Sequence, residues 1–305
     1  MTKKISYIFV LLAALLWGST AAVAKLLLAN LNNLQVLFFT NLFAFLGLFI
    51  IVLLLKKKAI IQSYTRQDYF TFAWMGFLGV FLYAFFLYGA LQLLPAQEAF
   101  IINYLWPIMV VIFAVLILKE QITLWKLLGI ICSFVGVAIV ITKGNFSILQ
   151  FGNTLGILSA IAGAVVYGLF SILGKKQNYD KFVSMMFYYF FSVFYALIAV
   201  LIFSKIPAVS FNQLLGLMWL GIFTSGLAFV FWFLALKYGD TTKMSNMIFL
   251  TPFISLIYIY ILVGEKILIS SVIGLVVIVA GILIQSMKEN LPPSSAKPSN
   301  PPKAD

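Results

Sequence analysis

The sequence has no histidine, a single cysteine (Cys132) and few charged residues, which make up 9% of its 305 positions. A disulfide within the chain is therefore excluded, and so is a metal cluster built from histidine and cysteine. A soluble domain of this length would carry roughly 25% charged residues. Hydrophobic residues instead make up 64% of the chain, which predicts an integral membrane protein in contact with a lipid bilayer.

The chain also lacks the groups that most enzymes need. With no histidine and no aspartate in an apolar run, it offers no converging acid, base and metal ligands, so we expect no enzymatic activity and no cofactor. It contains no Gly-Lys-Ser/Thr phosphate-binding loop, so we expect no ATP hydrolysis, and no obligatory ATPase partner is evident. The net charge is +12, but the basic residues lie in short gaps between apolar runs. This pattern favours a membrane protein over a nucleic-acid-binding one.

The most informative feature that is present is an internal repeat. Residues 74–139, moved on by 145 positions, fall on residues 219–284 without a gap. Six of the matches are of types that an apolar chain rarely matches by chance: Trp74/Trp219, Gly76/Gly221, Pro107/Pro252, Glu120/Glu265, Gly129/Gly274 and Gly136/Gly281. Eight further identities are Leu82/Leu227, Phe86/Phe231, Ala90/Ala235, Leu91/Leu236, Leu105/Leu250, Ile112/Ile257, Ile122/Ile267 and Ile139/Ile284. A duplicated hydrophobic protein is most simply a transporter.

The N-terminus is similar to a cleavable signal peptide, with two lysines before an apolar run and a small-residue Ala-Val-Ala segment. The repeat argues against cleavage. A shift of 150 positions places Ala14 on Ala164, Trp17 on Tyr167, Gly18 on Gly168 and Lys25 on Lys175. Because the first helix has a partner in the second half, we expect it to be retained.

Apolar runs of about 20 residues predict ten membrane-spanning helices. They cover residues 5–25, 34–55, 70–94, 97–118, 124–142, 153–174, 182–204, 212–236, 241–263 and 268–287. The fold class is therefore an all-α integral membrane protein with two five-helix repeats, at residues 1–143 and 150–287. Residues 288–305, rich in proline, are predicted to form a disordered cytoplasmic tail.

The distribution of lysine and arginine predicts the orientation in the membrane. If both termini are cytoplasmic, one side holds 16 of the 20 basic residues, namely Lys3, Lys4, Lys56, Lys57, Lys58, Arg66, Lys119, Lys126, Lys175, Lys176, Lys181, Lys237, Lys243, Lys288, Lys297 and Lys303. The other side holds Lys25, Lys143, Lys205 and Lys266. Since each repeat has an odd number of spans, the second copy enters the membrane from the opposite face. This inverted repeat is the architecture of alternating-access carriers.

Several short motifs carry a resemblance to a known family. They are Trp17-Gly18-Ser19, the Pro107 helix ending in Leu118-Lys119-Glu120, then Gly129 and Gly136, and in the second half Pro252, Gly264-Glu265, Gly274 and Gly281. In these motifs the chain resembles the drug/metabolite transporter (DMT) superfamily in its ten-helix EamA-type form, over about residues 5–287. The stretch EAFIINYLWP, from Glu98 to Pro107, is similar to the YddG-type amino acid exporter branch in a shorter match.

The resemblance implies a multi-pass carrier of the inner (cytoplasmic) membrane that exports small metabolites or amino acids, as a monomer or weak homodimer. The alternative is a proton-coupled efflux carrier of multiple drugs or cationic compounds. Small four-helix relatives use a glutamate of the first helix for that exchange, and the first helix here has no acid. Facilitated diffusion stays open, and the inverted repeat disfavours a non-transporting receptor.

Polar residues inside membrane spans are functional candidates by default. Glu98 is predicted either to bind a substrate ammonium or proton at a cavity mouth, or to be a solvated helix start that favours the helix dipole. Asn103, Tyr104 and Trp106 lie near the middle of the bilayer. Helical spacing puts Asn103, Trp106, Pro107 and Val110 on one face, where they either orient an amino acid or pack against a neighbouring helix.

The other candidates for a substrate cavity are Trp17, Ser19, Asn41, Tyr83, Tyr88, Tyr167, Ser171, Trp232 and Asn246. Pro107 and Pro252 are predicted to be kinks or hinges. The paired glutamates Glu120 and Glu265 are predicted to cap the next helix or to pair with a lysine across the loop. Gly129, Gly136, Gly274 and Gly281 are predicted to let the fifth and tenth helices pack closely.

Overall fold

Residues 3–145 and 153–286 are described by the computed structural model, and within them every regular element is a helix. The helices are α1 (Lys3–Leu28), α2 (Asn33–Leu54), α3 (Lys58–Ser63), α4 (Arg66–Leu93), α5 (Ala96–Asn103), α6 (Trp106–Leu118), α7 (Leu124–Ile141), α8 (Thr154–Lys175), α9 (Lys181–Phe203), α10 (Phe211–Tyr238), α11 (Thr241–Ile248), α12 (Thr251–Val263) and α13 (Ile269–Ser286). The predicted tail at residues 288–305 lies outside the described residues.

Eight helical segments in the described part of the chain are long and apolar enough to cross a bilayer. They are Ile5–Leu28, Asn33–Leu54, Arg66–Leu93, Ala96–Leu118, Leu124–Ile141, Thr154–Lys175, Lys181–Phe203 and Phe211–Tyr238. The last two predicted spans correspond to shorter apolar helices, Thr251–Val263 and Ile269–Gln285. The prediction of an all-helical membrane protein is confirmed, with eight long apolar helices and two shorter ones.

The fourth and ninth predicted spans are each broken into two helices. Two residues separate α5 from α6, and two residues separate α11 from α12. In both cases a proline, Pro107 or Pro252, is the second residue of the new helix. Proline has no N–H and its ring clashes with the carbonyl four residues earlier, which here belongs to Asn103 or Ile248. The chain therefore interrupts the helix at the same place in both repeats.

This break bears on one prediction from the sequence. The spacing rule that puts Asn103, Trp106, Pro107 and Val110 on one face assumes an unbroken ladder of backbone hydrogen bonds, and the turn at Tyr104 and Leu105 interrupts that ladder. The shared face therefore stays a prediction.

Helices from the two halves of the sequence pack against each other throughout the bundle. α1 packs on α10 and α12, while α8 packs on α4 and α6. α2 packs on α9, and α7 forms a pair with α13. Most of the helix packing therefore lies between the two halves.

Polar contacts divide the connections between helices into two groups. At one end, which we call the first end, Lys57 forms an ion pair with Asp180, and the Tyr179 hydroxyl donates to Asp68 over 2.7 Å. At the other end, the second end, Asn32 Nδ2 donates to Ser204 Oγ over 2.6 Å. The first end joins the connections after α2 and α8, and the second end joins those after α1 and α9.

Glycines let α7 and α13 approach until their backbones touch. A Cβ atom on Gly129 would lie 2.5 Å from the Gly281 carbonyl oxygen, and one on Gly136 would lie 2.7 Å from the Gly274 carbonyl oxygen. Between these contacts Ser133 Oγ donates to the Ile278 carbonyl over 3.2 Å. Small residues are the usual means of close helix packing in a bilayer, where apolar surface alone gives little driving force.

We expect Gly129→Ala to lower the thermal unfolding midpoint of the detergent-purified protein. Its methyl group would overlap the α13 backbone, and overpacking of this kind costs about 1–3 kcal/mol. Gly47→Ala is the matched control, because a Cβ atom there would meet its nearest neighbour, in Ile222, at 3.7 Å. Equal midpoints for the two variants would contradict the close packing of α7 and α13.

Candidate functional site

A cluster of aromatic and polar side chains surrounds the first helix break. We call it the Asn103 cluster; its members are Asn103, Tyr83, Tyr104, Trp106 and Tyr167. The ring centroids of Tyr83 and Tyr167 lie 4.7 Å apart, and those of Trp106 and Tyr167 lie 5.2 Å apart. The ring centroid of Tyr104 lies 6.3 Å from that of Trp106. The helix break thus brings together α4, α5, α6 and α8 around one amide side chain.

The Asn103 side chain is 3% exposed and only half satisfied. Its Nδ2 donates to the Tyr83 hydroxyl over 3.3 Å, while its Oδ1 has no hydrogen-bond partner among the described residues. Gly163 on α8 makes room for this oxygen, since a Cβ atom there would lie 2.8 Å from Oδ1. A buried polar atom without a partner is costly, so its presence calls for an explanation, and a bound solute would provide one.

The two helix breaks contact each other. The Tyr104 hydroxyl lies 3.5 Å from the Ile248 carbonyl oxygen, at the limit of a hydrogen bond. In a continuous helix the N–H of residue 252 would donate to that carbonyl, but Pro252 has no N–H. At the second break, the Thr251 and Ser255 hydroxyls are buried with no partner in the described part of the chain. Each break therefore has a buried polar atom nearby that lacks a hydrogen-bond partner among the described residues.

Other sequence-predicted residues form a second group between α1 and α10. Trp17 Nε1 donates to the Thr224 carbonyl over 3.0 Å, and Trp219 Nε1 donates to Ser19 Oγ over 2.9 Å. The rings of Trp17 and Trp232 lie 6.2 Å apart. The indole N–H groups of Trp17 and Trp219 already have partners, so this group holds two helices together as the structure stands.

The remaining candidates are not members of the Asn103 cluster, and two of them have hydrogen-bond partners of their own. Asn41 Nδ2 donates to Ser192 Oγ over 2.7 Å between α2 and α9. Ser171 Oγ bonds the Tyr167 carbonyl of its own helix, and Tyr88 is buried on α4. The side chain of Asn246 lies outside the described residues.

Comparison with known sequences places this arrangement in a family. The sequence profile of the EamA-like transporter family matches residues 4–142 and residues 154–287. The chain belongs to the EamA-like transporter family. This confirms the resemblance drawn from the motifs, and it makes the protein a multi-pass membrane transporter of the DMT superfamily.

The named relatives of this EamA-like transporter are themselves transporters. The chain is 23% identical over 282 residues to the uncharacterized transporter YoaV of Bacillus subtilis, covering 89% of this chain and 93% of YoaV. It is 26% identical over 291 residues to an uncharacterized transporter of Clostridium kluyveri, with 92% and 93% covered. It is 27% identical over 183 residues to the aromatic amino acid exporter YddG of Ancylobacter novellus, with 59% and 63% covered. A protein crystal structure with a TM-score of 0.65 and 20% identity, covering 93% of this chain and 96% of that one, shares the fold.

Glu98 of this EamA-like transporter is buried, so the expectation of a solvated helix start is wrong. The side chain is 9% exposed, and its Oε1 lies 3.2 Å from Lys143 Nζ. Lys143 lies just after α7, at the second end, and its side chain is 58% exposed. The sequence did not indicate this partner because 45 residues separate the two. A substrate ammonium could take the place of Lys143 only by breaking this ion pair.

We expect Lys143→Met to destabilise the protein more than the double variant Glu98→Gln with Lys143→Met. The single variant leaves a buried carboxylate without its partner, at a cost of about 1–3 kcal/mol, whereas the double variant removes the charge as well. Unfolding midpoints of the four members of this cycle measure the difference. A single variant as stable as the double one would show that the ion pair is unimportant.

The repeat-related glutamates of the EamA-like transporter have different partners. Glu265 accepts hydrogen bonds from the backbone N–H groups of Ala96, at 2.7 Å, and Gln97, at 3.2 Å. It therefore caps α5, a helix of the other half, whereas the sequence predicts a cap on the next helix or a pair with a lysine across the loop. Glu120 instead bonds Lys126, and this hydrogen bond holds the pKa of the Glu120 carboxyl below its ordinary value.

The described residues of this EamA-like transporter offer no ready ligand set for a resident metal ion. Within residues 3–145 and 153–286, no three side chains of histidine, cysteine, aspartate or glutamate come close enough to hold one. The chemistry that the site offers is hydrogen bonding, aromatic contact and the ends of interrupted helices.

Proposed function

We propose that this protein is a secondary transporter that exports small organic metabolites, most directly amino acids, by alternating access. The observation that carries the proposal is the pair of helix breaks that meet between Tyr104 and Ile248. Carriers built from repeats commonly bind their substrates at interrupted helices in corresponding positions of the two halves. Unpaired polar atoms at both breaks are suitable partners for a bound solute.

The Asn103 cluster suits an amino acid better than a cation. Asn103 Oδ1, which has no partner within the described part of the chain, can accept a hydrogen bond from an α-ammonium group. α6 begins at Trp106 inside the cluster, and the N-terminal end of a helix favours an anion such as a carboxylate. The rings of Tyr83, Trp106 and Tyr167 supply flat walls for an apolar side chain.

The named relative that exports aromatic amino acids supports this substrate class. The alternative, proton-coupled efflux of cationic compounds, has less support because the cluster itself contains no carboxylate. Glu98, the substitute for a first-helix acid, is held by Lys143.

Helix packing supports an exchange of roles between two inverted halves. With five spans per half, α1 corresponds to α8, and α4 corresponds to α10. Exchanging the halves therefore turns the pair of α1 and α10 into the pair of α8 and α4, and both pairs are in contact. The pair α1 with α12 likewise becomes the pair α8 with α6, which also pack together. A bundle in which both of these pairs have a counterpart can reach a second state by repacking along the same interfaces.

We place the protein in the cytoplasmic membrane with both termini in the cytoplasm. The excess of lysine and arginine on one set of connections supports this orientation, which puts the first end inside the cell and the second end outside.

An efflux screen tests the proposal. Cells that express the chain are loaded with individual amino acids or cationic dyes, and the rate of loss is compared with that of cells carrying an empty vector. We expect faster loss of one or more amino acids and unchanged loss of the dyes. Faster loss of dyes alone, with a dependence on external pH, would favour the alternative.

A further inference from the structure

The carboxylate of Glu265 ties the two halves of the protein together at the second end. It lies in the connection between α12 and α13, yet its two oxygens accept from Ala96 and Gln97, the first two residues of α5. The N–H groups at the start of a helix have no partner inside the helix and carry the positive end of its dipole. Glu265 thus occupies the start of the interrupted helix that leads to Asn103.

Neighbouring side chains extend this contact across the second end. Gln97 Nε2 donates to the Lys266 carbonyl over 2.9 Å, and the Leu268 N–H donates to Gln97 Oε1 over 3.0 Å. Lys25 Nζ donates to the carbonyls of Leu91, at 2.7 Å, and Leu94, at 2.6 Å, where α4 ends. The helix ends on both sides of the α4–α5 connection are therefore held by charged side chains.

The sequence repeat places the corresponding positions at the first end. A shift of 145 positions moves Glu120 to Glu265, and it moves Ala96 and Gln97 to Thr241 and Thr242, the first two residues of α11. Lys25 and Lys175 correspond at a shift of 150. The interrupted helix α11 therefore begins at the end of the bundle where Glu120 lies.

The first end nevertheless holds these residues in a different arrangement. The Glu120 carboxylate bonds Lys126 at 3.0 Å through one oxygen and Lys175 at 3.4 Å through the other. Lys175 is 65% exposed, so this pair lies close to solvent. The start of α11 is capped locally, where the Lys243 N–H donates to Asp240 over 2.9 Å. One glutamate of the pair is docked on a helix start and the other is held by lysines.

We propose that Glu265 and Glu120 are the gating residues of the transport cycle and dock alternately on the two interrupted helices. In the structure, Glu265 is docked on α5. In the opposite state, Glu265 leaves α5, and Glu120 leaves its lysines and docks on the N–H groups of Thr241 and Thr242. Lys175 then turns to the end of α10, as Lys25 does to the end of α4. This inference rests on the alternating access of the proposed function.

Amide hydrogen exchange of the purified full-length protein in lipid nanodiscs tests the gate. We expect Glu265→Gln to speed exchange at Ala96 and Gln97 and to slow it at Thr241 and Thr242. A hydrogen bond to a charged group is worth enough to shift the ratio of two states by about tenfold. Glu120→Gln is expected to have the reverse effect, with slower exchange at Ala96 and Gln97. The double variant should return both rates towards those of the original protein.

Asp68→Asn is the matched control at the first end. It also removes one carboxylate charge, but its carboxylate bonds Thr65 and Tyr179, away from α5 and α11. We expect it to leave all four amides unchanged. If Glu265→Gln speeds exchange at α5 alone, Glu265 is a static cap and the proposal fails. If either variant speeds exchange at both helices, the effect is general loosening and the proposal fails as well.

The test separates the gate from the transported solute, because it needs no substrate. Opposite responses of α5 and α11, together with no amino acid efflux, would leave the gate standing and reject the proposed substrate. Amino acid efflux without these responses would reject the gate alone.

Discussion

Asn103→Ala is expected to raise the concentration of amino acid needed for half-maximal transport by about tenfold or more. The substitution removes the one amide in the Asn103 cluster, whose Oδ1 is buried without a hydrogen-bond partner among the described residues. A hydrogen bond to a charged ligand group is worth about 1.5–3 kcal/mol, which corresponds to a change of roughly 10- to 100-fold. Initial rates in proteoliposomes, measured over a range of substrate concentrations, give the half-maximal value directly.

Asn41→Ala is the matched control for this prediction. Asn41 is also a buried asparagine between helices, but its amide is already bound to Ser192. We therefore expect it to lower the unfolding midpoint and the amount of protein in the membrane, without a change in the half-maximal concentration. If Asn103→Ala instead behaves like Asn41→Ala, Asn103 is a packing residue and the Asn103 cluster is not the binding site.

Lys25→Met is expected to destabilise the protein by about 3 kcal/mol. The ammonium group donates to two carbonyls at the end of α4, those of Leu91 and Leu94, and each such bond involves a charged donor. Methionine keeps the length and apolar stem of the side chain but leaves both carbonyls without this donor. Thermal unfolding in detergent measures the loss.

Lys175→Met serves as the comparison because Lys175 is the repeat-related lysine at the first end. Its side chain is exposed and pairs with Glu120 at 3.4 Å. Exposed ion pairs of this kind contribute about 0–1 kcal/mol, so we expect a small change in the unfolding midpoint. Equal effects of the two variants would contradict the asymmetry between the two ends of the bundle.

Much of the fold could be predicted from the sequence because hydrophobic length and the spacing of glycines are local signals. Gly129 and Gly136 lie seven residues apart, and this spacing puts both on one helix face. The helix breaks were harder to place. Pro107 and Pro252 indicate a kink. The apolar pattern is the same whether a helix bends or ends, so the sequence predicts one continuous face for Asn103 and Trp106.

The candidate site was predicted only as a set of residue types. Asn103, Tyr83, Tyr104, Trp106 and Tyr167 were all candidates, but nothing in the sequence indicated that these five meet while other candidates pack elsewhere. Trp17 and Ser19 bond α10 instead.

Contacts between distant parts of the chain could not be read from the sequence at all. The partners of Glu98 and Glu265 depend on how the two halves pack, and a single sequence does not encode that packing as a local pattern. The sequence does not indicate Gly163, because its role is to leave space beside Asn103 Oδ1, and that contact is seen only in the structure.

Counterflow in proteoliposomes that contain only the purified protein tests the central claim most directly. Vesicles are loaded with an unlabelled aromatic or aliphatic amino acid, and the entry of the labelled amino acid is followed over time. The account predicts transient, saturable accumulation above that of protein-free vesicles, and a weaker response at low concentration for Asn103→Ala. Absence of accumulation for every amino acid, by a protein that is folded and inserted, would contradict it.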